Sequence, residues 1–224
     1  DYSVSDLITC GFTTSVEVGL WAMAISTVIG LLLGIAGALR RNGPIDYSAG
    51  AIAMIGLAIP IYVIGPIGQI VFGLDLKWLP IAGWDGTWPY KIMPILTLSL
   101  PNIAYVSRLM RNSMIETVRT NYVRTARAKG IGERKTIMKH AMKGAIVPVV
   151  AYLGPATAIT ITGSVVVEQI FQIPGIGRYF VDGATGRDYP LVMGITMLYG
   201  TIVIFANLIT DLARSLIDPK VSYE

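Results

Sequence analysis

Apolar residues come in five long runs along the 224-residue chain, and most of the charged residues are gathered between them. A helix needs roughly 20 apolar residues to cross the hydrocarbon core of a bilayer. The runs at 12–39, 48–73, 92–107, 145–170 and 190–217 reach or approach that length, the third being the shortest. The pattern predicts an all-α fold, a polytopic transmembrane helical bundle forming a single domain over 1–224 with five spans. A long charged stretch at 108–143 separates the third and fourth runs, and a shorter linker at 171–190 separates the fourth and fifth.

The stretch 108–143 is poor in turn residues, which predicts helix. Ile115, Val118, Tyr122 and Ala126 recur at helical spacing as one stripe, with Arg119, Arg124 and Arg127 pointing elsewhere. Gly130-Ile131-Gly132 breaks the helix, and a second helical stretch follows over 133–143. Two short amphipathic helices joined by a glycine turn make a projecting knob. Its small residues Ala126, Ala128 and Gly130 permit close docking in a groove of another protein. The same residues also describe a solvated basic loop lying near anionic lipid, and physics alone leaves both readings open.

Composition strengthens the membrane reading: 53% of residues are hydrophobic and only 14% charged, where soluble domains carry about 25% charged residues. The net charge of +4 reads as topology rather than as nucleic-acid binding, because the basic residues are unevenly shared among the connections. Of 18 lysines and arginines, 14 fall on one side: Arg40, Arg41, ten within 108–143, Arg214 and Lys220. Lys77, Lys91, Arg178 and Arg187 make up the other side. The richer side is predicted to be cytoplasmic, which places the C-terminus inside and residue 1 outside. Residues 1–11 have neither a basic start nor an early apolar core, so at least one further helix is expected upstream of Asp1.

Within the runs, Pro60, Pro66, Pro94, Pro101, Pro148 and Pro155 remove backbone donors and predict kinks. Gly30, Gly34 and Gly37 share a helical face that suits close helix packing. The fourth run carries Thr157, Thr160, Thr162 and Ser164 and ends near Glu168; the others carry Glu17, Gln69, Asn102, Asn207 and Asp211. Polar groups at membrane depth face a bundle interior or water. Gln69, Asn102, Thr157, Thr160, Ser164, Glu168 and Asn207 are therefore candidates for lining a pathway, with structural pairing or interfacial exposure as the other reading.

Catalysis within the chain is disfavoured. Its one histidine, His140, lies in the basic stretch, so no serine–histidine site can form inside the membrane. One histidine and one cysteine, Cys10, make no metal-ligand cluster and no internal disulfide. Residues 130–136 have a glycine-rich look, but a phosphate loop needs glycine immediately before its lysine, and Arg134 stands there. A secondary transporter would show internal repeats or an ion site built from broken helices, and no convincing repeat is present.

Tyr122-Val-Arg-Thr-Ala-Arg-Ala-Lys-Gly130, followed by His140-Ala-Met-Lys-Gly-Ala-Ile-Val-Pro148, resembles the cytoplasmic loop of oligopeptide and dipeptide ABC-importer permeases, nearest their B-type branch. The general motif of ABC-importer permeases is Glu-Ala-Ala, three residues, Gly, nine residues, Ile-x-Leu-Pro. Aligned on Gly130, it puts Glu on Arg124, the alanines on Thr125 and Ala126, and Ile, Leu and Pro on His140, Met142 and Lys143. Only Ala126 and Gly130 match; the departures are those of the peptide-type branch. EQIFQIPGIG from Glu168 to Gly177 and Arg187-Asp-Tyr-Pro190 are similar to that family's last external loop, Trp78-Leu-Pro80 to an earlier one, and Asp218-Pro219-Lys220 to its C-terminal ending.

The resemblance implies a permease subunit forming half of an oligopeptide pathway. Its partners would be a second homologous permease, two ABC ATPases, a periplasmic or lipid-anchored peptide-binding protein and membrane lipid, with no nucleic acid. ATP and magnesium would sit on the ATPases and no cofactor on this chain, which would not itself be an enzyme. Tyr122, Arg124, Thr125, Ala126, Arg127, Ala128, Lys129, Gly130 and His140, within 120–142, would be the coupling element. Pro174, Gly175, Gly177, Arg187 and Asp188 would shape an external loop that closes over the pathway or meets the binding protein. The implied location is the bacterial inner membrane. Dipeptides or nickel complexes are alternative cargoes within the same family.

Overall fold

The computed structural model describes residues 4–217, and among these residues it holds helices and connecting segments but no strand. The first run forms α1, Val4–Leu39, which starts eight residues before the expected position 12. Its buried face is a ladder of small residues, including Ser15, Gly19, Ala22, Ser26, Gly30, Gly34 and Gly37. This lets α4, Trp88–Thr117, lie unusually close. A Cβ on Gly30 would stand 2.7 Å from Val106, and one on Gly34 2.6 Å from the Ser107 carbonyl. Ser26 Oγ donates to the Ser99 carbonyl at 3.1 Å, and Ser99 Oγ donates to the Ala22 carbonyl at 3.2 Å. Both hydroxyls also return bonds to their own helices.

The third run, expected as the shortest at 92–107, is a 30-residue helix. Arg108 and Arg111 do not end it, because Met110 and Met114 continue its buried face. The first ten residues of the expected loop at 108–143 therefore belong to α4.

The second run is not one helix. α2, Pro44–Ala58, ends at Ile59–Pro60, and α3, Ile61–Gly68, leaves at 101°. Pro60 has no amide hydrogen to continue the ladder. α3 then widens into a π-helical turn, Gln69–Asp75, shortly after Pro66. The expected span 48–73 falls within this bent pair.

The fourth run is also segmented. α5, Asn121–Ala128, precedes a glycine turn and α6, Glu133–Lys135. A π-helical turn, Thr136–Ala141, and α7, Met142–Ala145, lead through a 48° bend into α8, Val147–Thr162. Gly163 and Ser164 separate α8 from α9, Val165–Phe171. The linker 171–190, expected as a loop, contains a helix, α10, Ile176–Thr185. The run of glycines at 175, 177 and 183 hid it from sequence reading. α11, Tyr189–Ile217, lies along α8, with Gly154 taking the side chain of Thr210. Only 6% of its apolar window is buried. The Asp218-Pro219-Lys220 ending lies outside the described residues.

α1, α4 and α11 are each long and apolar enough to cross a membrane, and the two bent pairs qualify as broken spans. Two apolar cores fill the bundle. One gathers Val18, Met93, Leu98 and Phe171 towards α10; the other gathers Met110, Met114, Val123 and Val149 towards the basic end. A smaller core packs α10 against the start of α1 and α11 through Ile176, Ile195, Leu7 and Phe12.

Candidate functional site

The basic knob is built from α5, the turn and α6. α4 stops at Thr117, and Thr120 caps the corner by donating to the Thr117 carbonyl at 2.6 Å. This corner resets the helical phase, so the stripe read through Tyr122 and Ala126 is not continuous. Val123 and Ala126 are the buried residues of α5, while Tyr122 is 49% exposed. Arg124, Thr125, Ala128 and Lys129 are exposed, and His140 is half-buried.

Gly130 has φ +75, the left-handed region that favours glycine, and nothing lies within 4 Å of where a Cβ would be. Arg127 crosses the turn: its Nε donates to Glu133 Oε2 at 3.0 Å and its Nη2 to Oε1 at 2.6 Å. The guanidinium holds the Glu133 carboxyl below its ordinary range. Arg127 is thus a clamp inside the knob, and Arg124, Lys129, Arg134 and Lys135 are exposed charges on it. The knob rests through Val123, Ala141 and Ala145 on the core that Met110, Met114 and Val149 build.

The pathway candidates fall into separate groups. Asn102 and Thr160 meet: Asn102 Nδ2 donates to Thr160 Oγ1 at 3.2 Å, and Tyr152 donates to Asn102 Oδ1 at 3.0 Å. Ser164 and Glu168 meet in a buried cluster near α10. Gln69 donates to the carbonyls of Ile81 and Ile170, tying the wide turn to the neighbouring loop and α9. Thr157 bonds back to the Leu153 carbonyl, and Asn207 lies half-buried on α11; neither joins these groups. Apart from Asn207, each of these candidates makes at least one hydrogen bond inside the chain's own bundle.

Glu168 is 2% exposed. Its Oε1 accepts from Ser15 and Ser164, and its Oε2 from the Arg178 amide at 3.1 Å. Ser15 Oγ in turn accepts from the Ile176 amide at 2.9 Å. The carboxylate thus serves the first turn of α10, where a helix has unpaired donors and a positive end. Gly175 is required because a Cβ there would collide with the Glu168 carboxyl. Gly177 is required by Val165, which a Cβ would meet at 2.7 Å. Pro174 is half-buried beside them. Arg187 is exposed with φ +58, and Asp188 caps α11 by accepting from the Leu191 amide at 3.1 Å.

Sequence reading missed the ion pairs, two of which have a buried member. Asp46, buried at the start of α2, accepts from Arg111 Nε and Nη2 and from the Asn42 amide. Lys91, also buried, pairs with Glu17 and lies 5.4 Å from the Trp84 ring centre. An acid opening an apolar run was the only sign of the first, since its partner lies 65 positions away. A groove of about 670 Å³ runs between α2 and α4 past Tyr47, Arg108 and Asn112. Among the described residues no group of three or more metal-ligating side chains is gathered.

A segmented all-helical bundle with a basic knob at one end and a capped short helix at the other defines a permease-type membrane subunit. The chain belongs to the family of binding-protein-dependent transport system inner membrane components, which its residues 26–223 match. It is 43% identical over 224 residues to the oligopeptide transport system permease protein OppB of Haemophilus influenzae, spanning 100% of this chain and 73% of that one. The OppB of Salmonella typhimurium is 44% identical with the same coverage. The dipeptide transport system permease protein DppB of Bacillus subtilis is 42% identical over 219 residues, 98% of this chain and 71% of the relative. The resemblance read from the motifs is thereby borne out.

Among solved structures, an inward-facing MetNI methionine ABC transporter superposes with TM-score 0.77 at 15% identity, over 95% of this chain and 96% of that one. An amino acid ABC transporter with histidines gives TM-score 0.74 at 17% identity, over 94% of each chain. These likenesses carry the fold: the chain has the architecture of ABC-importer permeases.

Proposed function

We propose that this chain forms half of the membrane pathway of an ATP-driven oligopeptide importer. Identity of 43–44% along the whole chain to permeases named for oligopeptide transport carries the reading. A second homologous permease supplies the other half. Two ATPases holding ATP and magnesium dock on the basic end, and a periplasmic or lipid-anchored binding protein delivers peptide at the α10 end. The basic end is cytoplasmic by its excess of lysine and arginine.

The knob at 120–142 is the coupling element. Its outward face offers Tyr122, Arg124 and Lys129 around an unobstructed Gly130. Closure of the ATPase dimer moves it, and its packing on Met114 and Val149 conveys that movement to α4 and α8. Dipeptide import is the second reading, favoured by the 42% identity to a dipeptide permease.

The test is reconstitution of the full complex in proteoliposomes with labelled dipeptide, pentapeptide and nickel chelate. ATP-dependent pentapeptide uptake is expected. Uptake of dipeptide alone, or of the chelate alone, moves the cargo to that class. Uptake driven by an ion gradient without ATP overturns the reading.

A further inference from the structure

The break between α2 and α3 lies level with the middle of α4. A Cβ on Gly56 would stand 3.0 Å from the Leu100 carbonyl and 3.2 Å from Ala104, and the chain breaks three residues later. Residues 57–60 are all exposed. Pro60 has no amide hydrogen, and the last carbonyls of α2 lie beyond its internal ladder. Non-helical backbone at membrane depth is tolerated beside protein or a water-filled cavity, not against lipid tails. The face of the bundle that carries the break is therefore a protein- or water-facing one.

Along that face, towards the basic end, the α2–α4 groove opens. A neighbouring hollow of about 310 Å³ is lined by Leu57, Tyr105, Arg108 and Asn112. The larger groove shares Arg108 and Asn112, which lie one turn apart on α4. Of the two arginines in the groove, Arg111 is committed to Asp46 through both of its bonds. Arg108 is exposed and has no acidic partner among the described residues. It lies about 12 Å from Leu100 along the helix towards the basic end, near the edge of a hydrocarbon half-thickness of about 15 Å. A cation at that edge faces water, a headgroup or another polar ligand.

We propose that Arg108, with Asn112 beside it, is a transient station for the carboxylate of a peptide moving along the α2–α4 face. The inference rests on the peptide-import reading. A guanidinium fork matches a carboxylate in two parallel bonds, and the Asn112 amide supplies a further donor. Tyr47 and Tyr105 flank the station with apolar rings and polar edges, which suit side chains of varied character. Tyr105 is held by stacking on Tyr152 at 4.3 Å between ring centres. The exposure of Arg108 keeps the contact weak, as passage requires.

The test compares two labelled pentapeptides that differ only in a free or an amidated C-terminus. Both are supplied at concentrations that saturate the binding protein, to the complete complex in proteoliposomes. Arg108→Gln should slow uptake of the free-acid peptide about tenfold and leave the amidated peptide within about twofold. Arg108→Lys should fall between wild type and Arg108→Gln. ATPase rate and assembly report that the complex is intact. Equal slowing of both peptides, or of neither, overturns the proposal.

A second arm uses vesicles of phosphatidylcholine alone and vesicles with added phosphatidylglycerol. A defect seen only with the anionic lipid assigns Arg108 to a lipid headgroup and also overturns the proposal. If the wild-type complex imports neither peptide, the function reading fails first.

Discussion

Glu168 and Ser15, 153 positions apart, share a buried hydrogen bond of 2.7 Å that joins α9 to α1 at the foot of α10. Through the same two side chains the amides of Ile176 and Arg178 are satisfied. One carboxylate thus fixes three elements, and the segment following it is a docked helix rather than a free loop. In this conformation Glu168 fastens the α10 segment to α1 and α9.

Replacing Glu168 with alanine leaves the Ser15 and Ser164 hydroxyls and the Arg178 amide without their acceptor. The expected loss is about 3 kcal/mol of local stability. Trypsin should then cut faster after Arg178, in detergent or in membranes, while the fold of the remaining bundle persists. Gly175→Ala should give the same signature from the other side of the contact, because its methyl group displaces the carboxyl. Cleavage at the wild-type rate in both variants would show that α10 is held by Ile176 and Tyr179 packing instead.

Arg124 and Arg127 should separate in their effects, although both are exposed arginines of the same short helix. Arg124→Glu should weaken ATPase-subunit association and leave the knob folded. Arg127→Glu should disorder the turn by repelling Glu133, and the exchange Arg127→Glu with Glu133→Arg should recover it. Hydrogen exchange across 120–142 and pull-down of the ATPases give the two readouts. Identical behaviour of the two single variants would remove the distinction between clamp and docking charge.

The contrast between these arginines shows how far sequence reading reaches. Apolar runs announce membrane helices, because burial in lipid demands them over a known length. They do not announce bends: Pro60 ends α2, whereas Pro94 and Pro101 sit inside an unbroken α4. The difference lies in neighbours, since α4 is buried along its length against α1 while residues 57–60 are exposed. The glycine turn at 130 was legible from local chemistry alone. The pairings of Glu168 with Ser15, Asp46 with Arg111 and Lys91 with Glu17 were not, because each joins distant helices and no local spacing encodes it. Most of the polar residues in apolar runs make hydrogen bonds within the bundle, which is the structural pairing that the sequence left open beside a pathway.

Gly130 carries two requirements that a pair of variants can separate. Gly130→Ala meets no atom within 4 Å, so its cost is the left-handed backbone, about 1–2 kcal/mol. Gly130→Asn tolerates that backbone better and adds bulk to the outer face. If docking demands a bare surface, Gly130→Asn should uncouple ATP hydrolysis from uptake while the knob remains ordered by hydrogen exchange. Full transport by Gly130→Asn would make the glycine a backbone residue only.

The Asp46–Arg111 pair closes the turn after α1 and fixes α2 against α4. Removing either partner leaves the other without compensation, and Asp46 is the more deeply buried of the two. Asp46→Asn and Arg111→Gln should each cost about 2 kcal/mol, less than a fully buried pair because Arg111 is partly exposed. The double variant should cost clearly less than the sum, since it leaves no unpaired charge. Thermal unfolding of the purified protein measures the cycle, and strict additivity would deny the coupling. Asp46→Asn has a further consequence, because it frees a second cation in the groove beside Arg108. It should slow release of the free-acid pentapeptide while leaving the amidated one unaffected.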